Sequence, residues 1–208
     1  IGADASQYNQ TGSSNTFVGS NAGFGVISNS YSRNTGLGAR SGVALTTGNN
    51  NVLIGYQSAD TLTTGNNNLI VGYDIDMPAV GTSNFMSIGN LIFSAAIDGT
   101  GTTLSSGSIG IGIAAPSTKL HIVKEDGGTT TIVDTLTIEH QSTSTPAAAF
   151  GTALVIAGES SSTISRPMAR IASQWTTATD GSRATKTAIS GFDSAAERIT
   201  IGWGANGS

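Results

Sequence analysis

Two aspartates stand one residue apart in the stretch GYDIDMP, at Asp74 and Asp76. Alternate side chains of an extended segment point to the same face, so the pair offers two carboxylates at one place. Paired carboxylates bind calcium or serve as the acid and base of a glycosidase. Neither an EF-hand loop nor a glycine- and aspartate-rich calcium repeat surrounds them. The residues therefore favour an acidic, solvent-facing edge over a catalytic or metal site.

The histidines and glycine-rich stretches point away from catalysis. His121 and His140 lie in no cluster of carboxylates and histidines, so both are expected to be packing or surface residues. The chain has no cysteine, which excludes disulfides, thiol catalysis and cysteine-bound metals. The stretch SIGIGIA lacks the following helix that a dinucleotide loop requires. We expect no catalytic residue, no cofactor and no metal ion, and hence no enzyme.

Four aromatic side chains are candidates for contact with sugar rings: Tyr56, Tyr73, Trp175 and Trp203. Exposed aromatic rings combine an apolar face with a polar edge, which suits a polysaccharide. Tyr56 and Tyr73 each follow a glycine in the same sequence context, which favours a structural ladder, with a receptor-facing stripe as the alternative. Both tryptophans lie in strand-like alternation, which favours packing within or between chains over glycan contact.

The two tyrosines belong to a repeated sequence. TTGNNNVLIGY at 46–56 recurs as TTGNNNLIVGY at 63–73, and looser copies flank the pair. The asparagine ahead of each apolar segment is Asn15, Asn34, Asn51, Asn68 or Asn84, and the closing glycine is Gly19, Gly38, Gly55, Gly72 or Gly89. The glycines are 19, 17, 17 and 17 residues apart. Gly2 continues the series backwards, so residue 1 is expected to lie partway along a longer shaft.

A repeat this short restricts the fold. A unit of about 17 residues is too small for two packed helices and suits two short strands with two turns, one coil of a β-roll or β-solenoid. Stacked asparagines should form a hydrogen-bonded turn ladder, and the glycines should permit tight turning. One thin coil has little apolar volume. Several chains, with a trimer favoured, are therefore expected to bury the Ile, Val and Leu faces between them.

Charge and pattern divide the all-β chain into three parts. Residues 1–115 contain two arginines, five aspartates and no lysine or glutamate, and the remaining charges follow Pro116. We predict a repetitive β-roll shaft over 1–90, a short-strand transition over 91–115 and a β-rich module, prism-like or sandwich-like, over 116–208. Strand candidates in the module are 118–124, 131–140, 152–158, 168–176, 185–190 and 197–203.

Composition excludes two classes of partner. The net charge is −4 and no basic run occurs, which argues against nucleic acid. No apolar run approaches the roughly 20 residues that span a bilayer, which argues against membrane insertion.

Several stretches resemble sequences of fibrous attachment proteins. TTGNNNVLIGYQSA resembles the Asn-rich repeats of phage tail fibres and of YadA-type trimeric adhesin heads. SIGIGIAAPSTKLHIV at 108–123 resembles a linker of tail fibres that end in an intramolecular chaperone, and 145–159, 169–182 and 195–202 resemble the module after it. The resemblance implies a homotrimeric virion tail fibre, extracellular, with other tail or baseplate proteins and a host-surface polysaccharide or protein receptor as partners.

Departures from this pattern leave two alternatives. The self-cleaving chaperone, coiled-coil heptads and membrane-anchor barrel of these families are not recognisable, so a mature fibre fragment fits better than a complete autotransporter. A bacterial trimeric surface adhesin is the first alternative. A trimeric polysaccharide depolymerase is the second, and its carboxylates would come from Asp74, Asp76 and Asp98.

Overall fold

A computed structural model describes residues 2–125, 127, 134–159, 165–178, 183–193 and 196–204. Within these ranges the chain forms strands and turns and no helix, which confirms the all-β prediction. It divides into two compact units, Ile1–Thr135 and Leu136–Ser208.

The first unit contains one eight-stranded sheet with its strands in chain order. The first five strands pair in parallel. The sixth pairs antiparallel with the fifth and the seventh antiparallel with the sixth, and the eighth pairs in parallel with the seventh. The strands are β1 (Thr16–Val18), β2 (Thr35–Leu37), β3 (Val52–Ile54), β4 (Leu69–Val71), β5 (Phe85–Ile88), β6 (Ile92–Ala95), β7 (Ser108–Ile111) and β8 (Leu120–Ile122). Because β8 pairs with β7, the first unit extends beyond Pro116, where the change in charge had suggested a boundary.

Successive rungs place equivalent sequence positions side by side. Leu53 of β3 pairs with Ile70 of β4, and both side chains are fully buried. The step is 17 residues between consecutive rungs from Asn34 onward, which confirms a β-solenoid with the predicted repeat. The first step is 19 residues, and its two additional residues fall at the exposed corner that contains Val26 and Ile27.

Each rung has one short strand rather than the two predicted. The opposite side is still bonded from rung to rung: the Gly42 N–H donates to the Ser58 carbonyl at 2.9 Å, and the Ala59 N–H to the Ile75 carbonyl at 2.8 Å. Left-handed residues such as Gln57, with φ 53°, and Ala59, with φ 55°, interrupt the extended backbone on that side. A second regular strand cannot form across them.

The core of the solenoid is a column of inward-pointing side chains from successive rungs. Leu45, Leu53, Leu62 and Ile70 are fully buried. Where Phe17 needs more room, the neighbouring rung has Gly36, at which an added Cβ would lie 2.3 Å from the Phe17 ring. The small residue at Gly36 therefore makes room for the large ring of the preceding rung, which keeps this part of the core closely packed.

The stack of parallel rungs stops after β5. Gly89 and Asn90 have φ of 62° and 51°, and the Leu91 N–H donates to the Ile88 carbonyl at 3.1 Å. This turn reverses the chain, so β6 pairs antiparallel with β5 instead of starting another rung.

The described residues of the second unit form a four-stranded antiparallel sheet. Its strands are β9 (Gly151–Glu159), β10 (Ser165–Thr177), β11 (Ala184–Asp193) and β12 (Ala196–Gly204). The prediction of a strand over 131–140 is wrong for 134–140, which is exposed and unpaired in any described sheet, and 131–133 lies outside the described residues. Alternation alone does not make a strand where no partner strand covers it.

Candidate functional site

An inner ladder of asparagines runs along the solenoid, one side chain per rung. The Asn34 Oδ1 accepts hydrogen bonds from the Asn51 backbone N–H at 2.9 Å and from the Asn51 Nδ2 at 3.0 Å. The Asn51 Oδ1 accepts the same two bonds from Asn68, both at 3.0 Å. Asn15 begins the ladder with bonds of 2.9 and 3.3 Å from Asn34. Each amide oxygen thus links its own rung to the following one.

The amide nitrogens of the inner ladder make a second set of bonds. Asn51 Nδ2 donates to the Gly65 carbonyl at 2.9 Å, and Asn34 Nδ2 donates to the Gly48 carbonyl at 2.9 Å. Asn51 therefore uses both of its N–H donors and accepts two bonds on its oxygen, while its side chain is fully buried. A buried amide satisfied in this way joins three consecutive rungs without the cost of an unpaired polar group.

The inner ladder ends one rung earlier than predicted, because Asn84 does not belong to it. Asn68 Oδ1 accepts its bond from the Phe85 N–H at 3.0 Å, so Phe85 occupies the equivalent position. Asn84 lies one residue earlier and accepts a bond from Asn67 Nδ2 at 3.1 Å. The sequence alignment matched the asparagines that precede each apolar segment and so placed Asn84 with Asn68, although Gly89 follows Asn84 by one residue more than Gly72 follows Asn68.

Two further columns, which the sequence interpretation missed, flank the inner ladder. The middle column is left-handed in every rung: Ser14, Arg33, Asn50, Asn67 and Asn84 have φ between 56° and 60°. In the inner ladder each backbone N–H donates to the asparagine of the preceding rung. In the outer column the donor belongs to the earlier rung instead: the Asn49 N–H donates to Asn66 Oδ1 at 2.8 Å. The three asparagines of each NNN triplet therefore have three separate roles, and position within the triplet was the signal that distinguishes them.

The closing glycines form a column of close backbone approaches. Gly19, Gly38, Gly55 and Gly72 have φ between 130° and 143°, a conformation that side chains disfavour. A Cβ on Gly55 would lie 1.9 Å from the Gly72 carbonyl oxygen, so a side chain there would force the rungs apart. Gly89 differs, with φ 62° and open space around it, because it starts the turn that ends the stack.

The outward side of the parallel strands carries a continuous row of aliphatic side chains. We name this row the outer apolar stripe; its members are Val18, Leu37, Ile54, Val71 and Ile88. Four of them are 37–41% exposed, and Val71 is half-buried. The five strands contain no charged residue. Contiguous exposed apolar surface is typical of interaction sites.

The predicted aromatic contacts fall in both units. The rings of Tyr56 and Tyr73 stack with centroids 5.5 Å apart and an interplanar angle of 17°, so they shield one face of each other. They remain 44% and 73% exposed. Trp175 is half-buried in β10 opposite Thr185. Trp203 lies in β12 opposite Thr187, and its side chain lies outside the described part of the structure.

The carboxylates singled out in the sequence do not form a common site. Asp74 and Asp76 are both exposed, and Asp76 Oδ1 accepts a bond from the Thr61 N–H at 3.3 Å. Asp98 instead closes its own loop, accepting bonds from Ser106 Oγ at 2.6 Å and Ser106 N–H at 2.7 Å that lower the pKa of its carboxyl group. Across the described residues, no group of three His, Cys, Asp or Glu side chains is placed to hold a metal ion.

No helix long and apolar enough to cross a membrane is found among the residues that the structure describes. Comparisons with protein-family models, with curated proteins and with solved structures find no significant match.

Proposed function

We propose that this chain is a structural and adhesive segment of a homotrimeric phage tail fibre that mediates attachment to the host surface. The observation that carries the proposal is the outer apolar stripe on a stack of hydrogen-bonded rungs. The likeness of the repeat and of residues 108–123 to tail-fibre sequences supplies the protein class. In this proposal the chain is extracellular, on the virion tail, and it uses no cofactor, metal ion or catalytic residue.

Stiffness supports a role as a fibre. The backbone N–H groups of each rung donate to the neighbouring rung, and the buried asparagines add side-chain bonds along the same axis. A solenoid that is bonded along its whole axis resists bending, because each bend must break several of these bonds at once. Such an element holds distant sites at a fixed reach, which is the mechanical requirement of an attachment fibre.

The apolar stripe supports self-association. Its side chains repeat at the spacing of the rungs, so copies of the chain related by a rotation axis present the same row to one another. Leu37, Ile54 and Ile88 keep more than a third of their surface exposed, in strands without charge. Burial of such surface contributes about 25 cal/mol per Å², so a row of aliphatic residues favours assembly more than scattered ones do.

A trimer would also explain attachment by weak sites. Three copies place three identical receptor contacts on one rigid body, so that the second and third contacts form at high effective concentration. The receptor in this proposal is a host-surface polysaccharide or protein, and the ends of the fibre contact other tail or baseplate proteins.

The proposal is tested by the mass of the full chain in solution. Light scattering after size exclusion is expected to give three times the 20.9 kDa of one chain. A mass of one chain would contradict the fibre. Incubation with host capsule tests the enzymatic alternative, because release of oligosaccharide would replace attachment by depolymerisation as the function.

A further inference from the structure

The second unit contains an open cavity of about 300 Å³. Residues 138–140 form one side, and strands β9, β10 and β11 form the other. The lining combines aromatic and polar side chains, principally Glu139, His140, Phe150, Thr152, Gln174 and Trp175. Its volume is at the lower end of the range for small-molecule sites, which suits a ligand of one ring.

Local backbone irregularities build one wall of this cavity. Ala149 has φ 73°, and the Phe150 N–H donates to the Ala147 carbonyl at 3.2 Å, so the chain turns sharply before β9. The turn brings the Phe150 ring onto His140, with centroids 4.2 Å apart and an interplanar angle of 25°. A left-handed alanine is an uncommon conformation, and such residues concentrate at functional sites.

His140 is fixed by a second contact. Its Nδ1 lies 2.8 Å from the Gly151 carbonyl oxygen, which can only accept, so Nδ1 carries the proton of this bond. The ring is thereby held by stacking and by a hydrogen bond, and Nε2 is left as its remaining polar atom. A Cβ on residue 151 would lie 2.1 Å from the Ser173 carbonyl oxygen. Because Gly151 has no side chain, β9 can approach β10 closely at this point.

Trp175 is positioned by a break in the sheet. The register of β10 against β11 shifts between Trp175 and Thr177. The Trp175 N–H donates to the Phe150 carbonyl at 2.9 Å, and its carbonyl accepts from the Ala149 N–H at 2.8 Å. A bulge re-aims the side chain beside it, and bulges are frequent next to binding sites. The backbone that carries the half-buried indole is therefore bonded to the same turn that positions Phe150.

The charges around the cavity select the class of ligand. None of the described residues that line it is a lysine or an arginine, so the lining itself offers no cation to a phosphate or carboxylate group. Glu139 supplies a carboxylate, and its Oε1 already accepts a bond from Gln141 Nε2 at 3.1 Å. A carboxylate, an amide and hydroxyl groups around an aromatic surface match the alternating hydroxyl and C–H faces of an uncharged sugar.

We propose that this cavity binds one uncharged sugar ring of a host-surface glycan, with Trp175 as the stacking surface and Glu139 as the acceptor for sugar hydroxyls. The inference rests on the proposed attachment function, to which it adds a ligand class and a place in the chain. Affinity for a single sugar unit is expected in the millimolar range, which three copies on one fibre raise by multivalency.

Saturation-transfer NMR on the full chain tests the site, with the methyl glycosides of glucose, galactose, mannose, N-acetylglucosamine and N-acetylgalactosamine as probes. At least one is expected to bind saturably. Trp175→Ala should weaken that binding about tenfold or more through loss of stacking, and Glu139→Gln about three- to tenfold through loss of a charge-assisted bond. The matched control is Met168→Ala, an exposed side chain of β10 outside the cavity, which should leave binding unchanged.

The outcomes separate this site from the fibre proposal. Absence of saturable binding by all five glycosides, with the trimer mass intact, overturns the site alone. Binding by a chain of monomer mass overturns the fibre and leaves the site standing. Tighter binding of N-acetylneuraminic acid than of the uncharged sugars overturns the assigned ligand class. If Trp175→Ala loses its far-ultraviolet circular dichroism, Glu139→Gln decides, and unchanged affinity in that variant contradicts the proposal.

Discussion

A single amide side chain of the inner ladder fills four hydrogen-bonding positions. Asn51 bonds to Asn34 Oδ1 and to the Gly65 carbonyl through its nitrogen, and to Asn68 through its oxygen. Because the site is fully buried, water cannot replace these partners when the side chain is removed. The contribution of Asn51 to stability comes mainly from the main-chain groups that its removal would leave unpaired.

We therefore expect Asn51→Ala to lower the free energy of unfolding by about 2–5 kcal/mol, the cost of leaving the Gly65 carbonyl and the Asn68 N–H unpaired. Denaturant titration measures the loss. The matched control is Asn50→Gly, one residue away, where φ is 58° and glycine fits the backbone. That variant should stay within about 0.5 kcal/mol. Equal losses for the two variants would contradict a special role for the inner ladder.

Tyr31 gives the solenoid a pH dependence on the alkaline side. Its side chain is fully buried, its hydroxyl donates to the Gly23 carbonyl, and burial raises the pKa of the phenol above its usual 10.0. The unfolded chain then ionises this group before the folded chain does. The contribution of Tyr31 to stability is therefore fully present below pH 10 and declines as the pH rises towards the folded pKa.

Denaturant titrations between neutral pH and about pH 11 should record this decline. Tyr31→Phe should be less stable than the parent by about 1 kcal/mol at neutral pH, because the Gly23 carbonyl loses its donor. Its stability should fall less steeply above pH 10, where the parent loses the contribution of the buried phenol. Parallel pH profiles for the parent and the variant would rule out Tyr31 as the source.

At the scale of the element, neighbouring strands share core volume. Gly36 lies at the centre of β2 beside Phe17 of β1, and an added Cβ would lie 2.3 Å from the Phe17 ring. Gly36→Ala is expected to cost about 1–3 kcal/mol by overpacking. The double variant with Phe17→Leu should recover part of that loss, since the smaller side chain vacates the space. A strictly additive double-mutant cycle would contradict the shared volume.

The same scale explains what the sequence predicts and what it does not. The solenoid and its period were predictable because each rung repeats an asparagine, an apolar segment and a glycine. The register of Asn84 was not, because Phe85 replaces the asparagine at the inner position of the last rung and Asn84 is the equivalent of Asn67. Tyr31 fills core space at a position where other rungs have Gly48 or Gly65. The equivalence of a tyrosine and a glycine was not predictable, because it depends on how much core volume the neighbouring rungs leave free.

Prediction of the second unit followed strand propensity, with one failure. The four strands of its sheet overlap the strand candidates at 152–158, 168–176, 185–190 and 197–203. Residues 134–140 alternate as clearly but are exposed and unpaired in the described sheets, so pattern without a partner strand was insufficient. The cavity beside them was not predictable, because it arises from the turn at Ala149 and the bulge after Trp175, both of which are set by tertiary contacts.

At the scale of the whole molecule, one part of the exposed aliphatic surface, the outer apolar stripe, is ordered rather than scattered. Single exposed apolar residues are normal on a soluble chain and carry no functional meaning. The outer apolar stripe differs because one member projects from each parallel strand, from β1 to β5, in register. If the chain works as a trimer, polar substitutions in this row should weaken assembly. They should leave the inner core intact, because Leu53 and Ile70 point to the other side of the strands.

We expect the double variant Ile54→Ser and Val71→Ser to shift the solution mass from trimer towards single chain, because two members of the stripe on every copy would then be polar. Its matched control is Val80→Ser, which removes an equally apolar side chain, 54% exposed, from outside the strands. Light scattering across a dilution series measures the shift, and the far-ultraviolet circular dichroism of each variant reports whether the rungs remain folded.

A folded double variant that keeps the parent mass at all dilutions would show that assembly does not use the stripe. Dissociation by Val80→Ser to the same extent would show that general apolar surface, rather than the register of the rungs, holds the copies together.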